Sequence, residues 1–441
     1  MKTADDLRIL ELTQKLKRDP SRARQMLRQT IEKIAIESGI QASFNLLLRM
    51  EVVLGLRRPT LALYDHAIHF IGGAQKYGLT IAATLQDVFD ITILANKDVR
   101  HEDFHEWYGL DLSRCHIKVL KLPFYEKRKA IHLDPTQVTI KEPNPFHRIS
   151  RESGNYDIFI NNSMNEMVFP LANVSVLVCH FPERRPRTYF YADRYNYIVY
   201  NSRYTLEWIG KKWKIPSHEH IYPYVETATS AGQKPKKKLL LSVARFEVGG
   251  TKRQKEMVES FLTLDTLYPE ATEGWKFILA GGSDPENPYL SFLENLIRQH
   301  PRQNVELRVN ISAAELDSLY EEATIFWHLC GIVHDDPSAV EHFGMTTIEA
   351  MAHGAVPIVY DGGGLREIVD EGVNGFRVKS QAMLLERTLE LFSDRNLVGQ
   401  LSQAARKKAQ EFSREKFEAR VRAFFERLLN QYANPQRNSS L

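Results

Sequence analysis

Asp336 to Gly364 reads DPSAVEHFGMTTIEAMAHGAVPIVYDGGG, and the architecture of the whole chain follows from it. It places Glu341 just before a Gly-containing turn and Glu349 eight positions later. Between Met345 and His353 the apolar residues Ile348, Met351 and Ala352 fall on one helical face, with Glu349 turned off it. Gly354 ends the helix, and Val356 to Tyr360 is an apolar run of buried-strand type. The segment therefore reads as loop, helix, strand. A turn at Phe343-Gly344 leaves the backbone N–H groups of Gly344, Met345 and Thr346 without partners inside the helix, which makes an anion receptor suited to a phosphate. Carboxylates repel that phosphate, so Glu341 and Glu349 are suited to hydroxyls on either side of it. Hydroxyl, phosphate, hydroxyl is the outline of a nucleotide sugar.

Outward from this segment the chain alternates strand and helix. Thr60 to Tyr64 is a strand, and Gly72-Gly73-Ala74 opens a helix that runs toward Gln86. Asp90–Ala95, Ile117–Leu120, Tyr156–Ile160, Val174–Cys179 and Tyr197–Asn201 are further strands. Strands separated by helices imply parallel pairing and a Rossmann-like sheet, with functional loops at the strands' carboxyl ends. Two such loops carry chemistry. The glycines at 72 and 73 let backbone approach a ligand at a helix N-terminus, and Cys179-His180-Phe181-Pro182 sets an imidazole directly after an apolar strand. Glu183-Arg-Arg-Pro-Arg187 adds positive charge that suits an anionic or lipid-phosphate partner, and a solvated basic loop is the plainer reading.

Composition shifts to Thr, Ser, Gly, Gln, Pro and Lys between Ala228 and Lys238, as a linker does. A second run of strands follows. Lys238 to Arg245 ends on a cation, and a Gly-rich loop then brings Lys252 or Lys255 within reach, so an Arg and a Lys can clamp a diphosphate. Trp275–Ala280, Val305–Val309 and Ile325–Leu329 continue the pattern, and Asn310 to Glu315 is a capping-box sequence opening a helix. His328 and His334 read as structural. Arg414 to Tyr432 repeats Phe417, Val421, Phe424 and Leu428 at helical spacing.

The order Glu341, Phe-Gly, Glu349-Ala-Met-Ala, a Val-Pro strand and Gly362-Gly363-Gly364 resembles the E-x7-E signature of retaining glycosyltransferases of the GT-B fold, in particular glycosyltransferase family 4. The resemblance spans roughly residues 60–412. It implies an α/β chain with two Rossmann-like domains facing across a cleft, and transfer of a sugar from a nucleoside-diphosphate sugar to a hydroxyl acceptor with the anomeric configuration kept. A glycan, a lipid-linked saccharide or a small molecule would serve as acceptor, in cell-envelope or polysaccharide synthesis. By resemblance, Glu349 holds the ribose hydroxyls, Glu341 contacts the sugar hydroxyls, Gly72 and Gly73 border the donor phosphates and acceptor, and His180 meets the sugar and acceptor. Backbone at Val309 and Ile311 reads the base, and the last helix crosses back to the first domain. The expected organisation is a helical extension over 1–58, an acceptor-side domain over 59–228, a nucleotide-sugar domain over 229–410 and a crossover helix over 411–441.

Bulk properties set the outer limits. The 441 residues, 43% apolar and 26% charged, have room for two cores of ordinary size. A net charge of +3 without a basic, aromatic-interleaved stripe does not point to nucleic acid. Cys115, Cys179 and Cys330 are far apart, without metal-type spacing. No Asp-x-Asp occurs, so no metal and no cofactor is expected. The charged start and the lack of a membrane-length apolar run suggest a cytoplasmic protein. The basic amphipathic stretch Arg22–Glu37 reads as a solvated face, with peripheral contact at the inner membrane face as the alternative. The competing functional readings are a sugar-nucleotide epimerase of the same architecture and a non-catalytic sugar-nucleotide-binding subunit.

Overall fold

The computed structural model describes residues 51–122, 146–181, 192–211, 217–226 and 235–433, together with residue 29, apart from residues 53, 54, 165–167, 285, 303 and 333–338. Most of the helical extension expected over 1–58, including the amphipathic stretch apart from residue 29, lies outside the described residues. So do Glu183–Arg187, residues 228–234 of the expected linker, and His334.

Two parallel sheets account for the strands. The first contains β1 (Thr60–Tyr64), β2 (Asp90–Ala95), β3 (His116–Val119), β4 (Ile158–Asn161), β5 (Val174–Cys179), β6 (Tyr197–Tyr200) and β7 (His218–His220), in the order β3-β2-β1-β4-β5-β6-β7. The second contains β8 (Leu239–Val243), β9 (Lys276–Gly281), β10 (Val305–Val309), β11 (Ile325–His328), β12 (Val356–Tyr360) and β13 (Phe376–Val378), in the order β10-β9-β8-β11-β12-β13. The inner strands are mostly apolar because helices cover both faces, as in Leu239–Val243, which is buried along its whole length with Ser242 as its one polar residue.

Helices link the strands in chain order: α1 (Gly73–Leu85), α2 (His101–Tyr108), α3 (His147–Ser153) and α4 (Arg203–Gly210) in the first lobe; α5 (Gln254–Leu267), α6 (Pro288–Arg298), α7 (Ala313–Glu322), α8 (Met345–Ala352), α9 (Leu365–Ile368), α10 (Gln381–Ser393) and α11 (Arg395–Ala409) in the second; then α12 (Arg414–Ala433). Ser312 caps α7 by accepting the Glu315 N–H, as the capping-box sequence requires. Two strands escaped sequence reading. β7 is a polar His-Glu-His triplet, and β13 is an edge of three residues, Phe-Arg-Val, too short for its alternation to stand out.

Each sheet reverses its order beside its first strand, with β1 between β2 and β4 and β8 between β9 and β11. The connecting helices leave in opposite directions there, which opens a crevice at the strands' carboxyl ends. The lobes meet at those ends. Glu367 on α9 accepts from the backbone N–H of Arg203 at 3.0 Å and of Tyr204 at 2.8 Å, so a carboxylate of the second lobe caps helix α4 of the first. The Tyr222 hydroxyl donates to the same carboxylate at 2.7 Å, and its ring stacks on Phe343 at 5.5 Å.

Helix α12 returns to the first lobe. Phe417, Val421, Phe424, Phe425 and Leu428 are buried in one cluster with Leu61, Tyr77, Ile91 and Val199. Phe417 lies edge-on to Tyr77 at 5.1 Å and near Tyr224 at 5.4 Å. Phe417→Ala should therefore cost the first lobe about 3–5 kcal/mol. Urea unfolding followed by tryptophan fluorescence and by far-ultraviolet dichroism would show an early transition absent from the parent.

Candidate functional site

A cavity of about 290 Å3 lies where the two crevices face each other. From the first lobe it is lined by Gly73, Tyr77 and His180, among others, and from the second by Arg245, Lys252, His328, Glu341 and the turn Phe343 to Thr346. Of the residues singled out in the sequence, Gly73, His180, Arg245, Lys252, Glu341, Phe343, Gly344, Met345 and Thr346 are thus brought together. Gly72, Val309, Ile311 and Glu349 are not among the lining residues.

The second-lobe wall is built by the segment first read. Gly344 takes a left-handed φ of 109° as the residue before α8, so the chain turns sharply and the first N–H groups of the helix face outward from its end. The glycine turn after β12 supports this loop. Gly364 N–H donates to Glu341 O at 2.9 Å, and a methyl at Gly364 would stand 2.2 Å from His342 O. Only bare backbone fits there, which gives the Gly-Gly-Gly run its physical reason. Across the cavity, a methyl at Gly73 would come within 3.1 Å of the Met345 side-chain methyl, so the two helix N-termini approach closely.

At the centre is an ion pair. Lys252 Nζ lies 2.9 Å from Glu341 Oε2, and His328 Nε2 lies 2.9 Å from the same oxygen. Of the two candidate lysines, Lys252 lines the cavity, while Lys255 sits on the surface of α5 beside Glu259. The Lys252 and His328 contacts both fall on one Glu341 oxygen, Oε2. His328, read as structural, is buried at the end of β11 and holds Glu341 in place. Its Nδ1 has no partner among the described residues. Its position as the last residue of an apolar strand was the signal available for it.

Burial opposes ionisation of Glu341, but the Lys252 charge and the His328 hydrogen bond outweigh it and hold the carboxyl well below the usual range. The same pairing raises the Lys252 ammonium against the effect of burial. The trio lies beside Cys330, whose thiol burial pushes up to about 12. His328, Cys330 and Glu341 offer donor atoms within 4.8 Å of one another, and Lys252 Nζ contacts the Glu341 oxygen among them.

Other expected residues stand at the margins. Arg245 lies at the cavity rim with its side chain 77% exposed and 3.0 Å from Glu247, so its guanidinium is not engaged inward. Glu349 Oε2 accepts from the buried Tyr320 hydroxyl at 2.8 Å, which turns that oxygen toward α7. Val309 and Ile311 flank Asn310 at the end of edge strand β10 and pack against the apolar clusters on either side of the sheet. Gly72 N–H donates to the Tyr108 hydroxyl at 2.8 Å, which anchors the glycine loop to α2.

His180 enters the cavity from β5. Its Nε2 is 3.0 Å from Asn162 Oδ1, and burial lowers its pKa to about 4 against a hydrogen bond to Asn162, so the ring is neutral near pH 7. Asn162 and Asp65 were not singled out as site residues in the sequence, although both directly follow strands.

Comparison with known proteins adds to this geometry. Residues 226–408 match the family model described as glycosyl transferases group 1. A GDP-Man:Man(3)GlcNAc(2)-PP-Dol alpha-1,2-mannosyltransferase of Mus musculus is 30% identical over 253 residues, which cover 53% of this chain and 48% of that protein. The protein of the same name from Dictyostelium discoideum is 26% identical over 212 residues, covering 46% of this chain and 40% of that one. The chain spans about half or less of the length of these curated relatives. Among solved structures, Anabaena HepE in complex with UDP and glucose superposes with a TM-score of 0.63 at 16% identity, covering 84% of this chain and all of that one. Sucrose-phosphate synthase from Thermosynechococcus elongatus gives 0.61 at 15% identity, covering 85% of this chain and 100% of that one.

The ion pair makes the site sensitive to acid. Glu341 is depressed in the folded state, so its stabilisation is complete above the ordinary carboxylate range and is lost as pH falls through the depressed value. Glu341→Gln leaves Lys252 without its counter-charge and should cost on the order of 3 kcal/mol at pH 7. That gap should narrow steadily below about pH 4 in a series of thermal melts; a gap constant with pH would mean that the pair does not form. This chain has a GT-B fold, two Rossmann-like lobes about a cleft, and its second lobe matches the group 1 glycosyl transferases over residues 226–408.

Proposed function

We propose that the protein is a retaining, metal-independent glycosyltransferase of the family 4 kind. It moves a hexose from a nucleoside-diphosphate sugar to a hydroxyl acceptor, and a lipid-linked saccharide is the acceptor class to test first. The observation that carries the reading is a fixed cation, Lys252, beside the open N-terminus of α8, in a cavity closed on its far side by His180. Departure of a sugar leaves negative charge on the diphosphate, and preorganised N–H groups with a held ammonium stabilise that charge as it develops. Glu341 steadies the ammonium through one oxygen and offers the other to a sugar hydroxyl. Arg245, free of inward contacts, swings from Glu247 to the diphosphate when the donor binds. Glu349 takes the ribose hydroxyls, and backbone near Val309 and Ile311 meets the base.

GDP-mannose is the first donor to try, because the relatives matched over half of the chain are named for it, and UDP-glucose is the second. The acceptor class follows from the same relatives, whose names specify a dolichol-diphosphate saccharide. An epimerase would release free sugar and a binding subunit would turn over nothing, so product analysis with and without acceptor distinguishes the readings.

A donor held at 100 times its dissociation constant should raise stability by about 2.7 kcal/mol, visible as a higher melting temperature. Lys252→Ala should lower kcat by about 10²–10³-fold, in the range of a lost charge-stabilising donor. Arg245→Ala should also slow turnover while leaving the unliganded melt unchanged, since its side chain is exposed. Absence of stabilisation by every diphosphate sugar tried, or unaltered kinetics in both variants, would remove the assignment.

A further inference from the structure

At the carboxyl end of the first sheet three side chains from three adjacent strands form a line ending in the cavity. Asp65 directly follows β1, Asn162 follows β4 and His180 follows β5. The Asn162 amide is fixed from every side. Nδ2 donates to Asp65 Oδ2 at 2.6 Å and to Ala74 O at 2.9 Å, which uses both of its hydrogens on acceptors. Oδ1 is therefore the atom left to meet His180 Nε2. An amide oxygen only accepts, so Nε2 carries the proton and Nδ1 carries the lone pair.

The far end of the line is equally constrained. Asp65 is 1% exposed and accepts from the Ala67 N–H at 2.8 Å and from Gln75 Nε2 at 3.2 Å to each oxygen. Burial pushes its pKa up to about 6 in spite of these hydrogen bonds, so the carboxylate is kept at a cost to stability. A residue that costs stability and lies behind the cleft calls for a reason beyond packing. Helix α1 supplies a separate constraint: a methyl at Gly78 would stand 2.8 Å from Asn162 Nδ2. Bare helix backbone is thus pressed against the amide, which has no room to turn over.

We propose that Asp65 and Asn162 are positioning residues that lock His180 in the Nε2–H tautomer, so that Nδ1 serves as a hydrogen-bond acceptor for a hydroxyl of the bound sugar or acceptor. The assignment of the hydroxyl rests on the glycosyl-transfer reading; the lock itself does not. Asp65→Asn is isosteric, but the new amide can donate as well as accept, so the orientation of Asn162 then rests on Ala74 O alone. Gly78→Ala disturbs the same amide without touching Asp65 or His180.

The test is histidine-selective ¹⁵N NMR of the full chain, with His180 assigned by its loss in His180→Gln, beside kinetics with the donor that stabilises the protein. The parent should show His180 with Nε2 protonated and Nδ1 bare. Asp65→Asn and Gly78→Ala should each show a mixture of tautomers, and kcat should fall about 10–100-fold with the donor KM unchanged, the range for lost outer hydrogen bonds. A parent ring protonated on Nδ1, or tautomers unaltered in both variants, overturns the lock. Loss of activity that tracks only a lowered melting temperature, with the tautomer intact, overturns it as well. Failure of the parent to transfer sugar from any donor sinks the transferase reading, while the tautomer measurement, which needs no turnover, still decides the lock.

Discussion

The contact between the Lys252 ammonium and the Glu341 carboxylate is the one on which the cleft depends. Both groups are largely withdrawn from water, and withdrawing a charge costs several kcal/mol unless a partner and further hydrogen bonds compensate. Glu341 has both, since His328 donates to the oxygen that Lys252 also contacts. The resting cavity is thereby close to neutral, with its cation present but balanced. On the proposed function, an entering diphosphate would compete with Glu341 for an ammonium already in place, and only Arg245 would have to move toward it.

The two sheets make this possible by putting their order reversals face to face. Each lobe alone has a crevice at its strand ends; the first contributes His180 to the cavity, and the second contributes Lys252 with Glu341. The contact between lobes is consequently part of the site. Tyr222, from the segment after β7, stacks on Phe343, lies edge-on to Phe412 at 5.1 Å and donates to Glu367. Its burial and its neighbours raise the phenol well above its ordinary range, so the hydroxyl remains a donor at every working pH. Separation of the lobes has to release that stack together with the two amides that Glu367 caps, which makes the closed arrangement a defined state with breakable contacts.

Much of this was legible in the sequence because local chemistry and global fold agree. Glu341 to Glu349 reads correctly as turn then helix because Gly344 is needed for the turn and the apolar positions fall on one face. Lys238–Arg245 and Val174–Cys179 read as strands because parallel strands covered on both faces are mostly apolar, with only a small serine inside each run. What stayed hidden was hidden for physical reasons. The choice between Lys252 and Lys255 depends on the path of a glycine loop, which spacing does not fix. His328 looked like packing because its partner lies thirteen residues away across a loop. Asp65 and Asn162 are 97 residues apart and are joined only by the pairing of β1 with β4, a register that no local pattern contains.

The return of α12 to the first lobe bears on how the protein is made. The cluster around Leu61 and Ile221 lacks Phe417 and its neighbours until the last helix emerges from the ribosome, roughly 200 residues after Ile221. At about 5–20 residues per second that interval is on the order of 10–40 s. For that time the half made first lacks the α12 side chains that complete its core, while the second half is being made. Order of synthesis and order of completion are therefore reversed, and the core begun first is finished last.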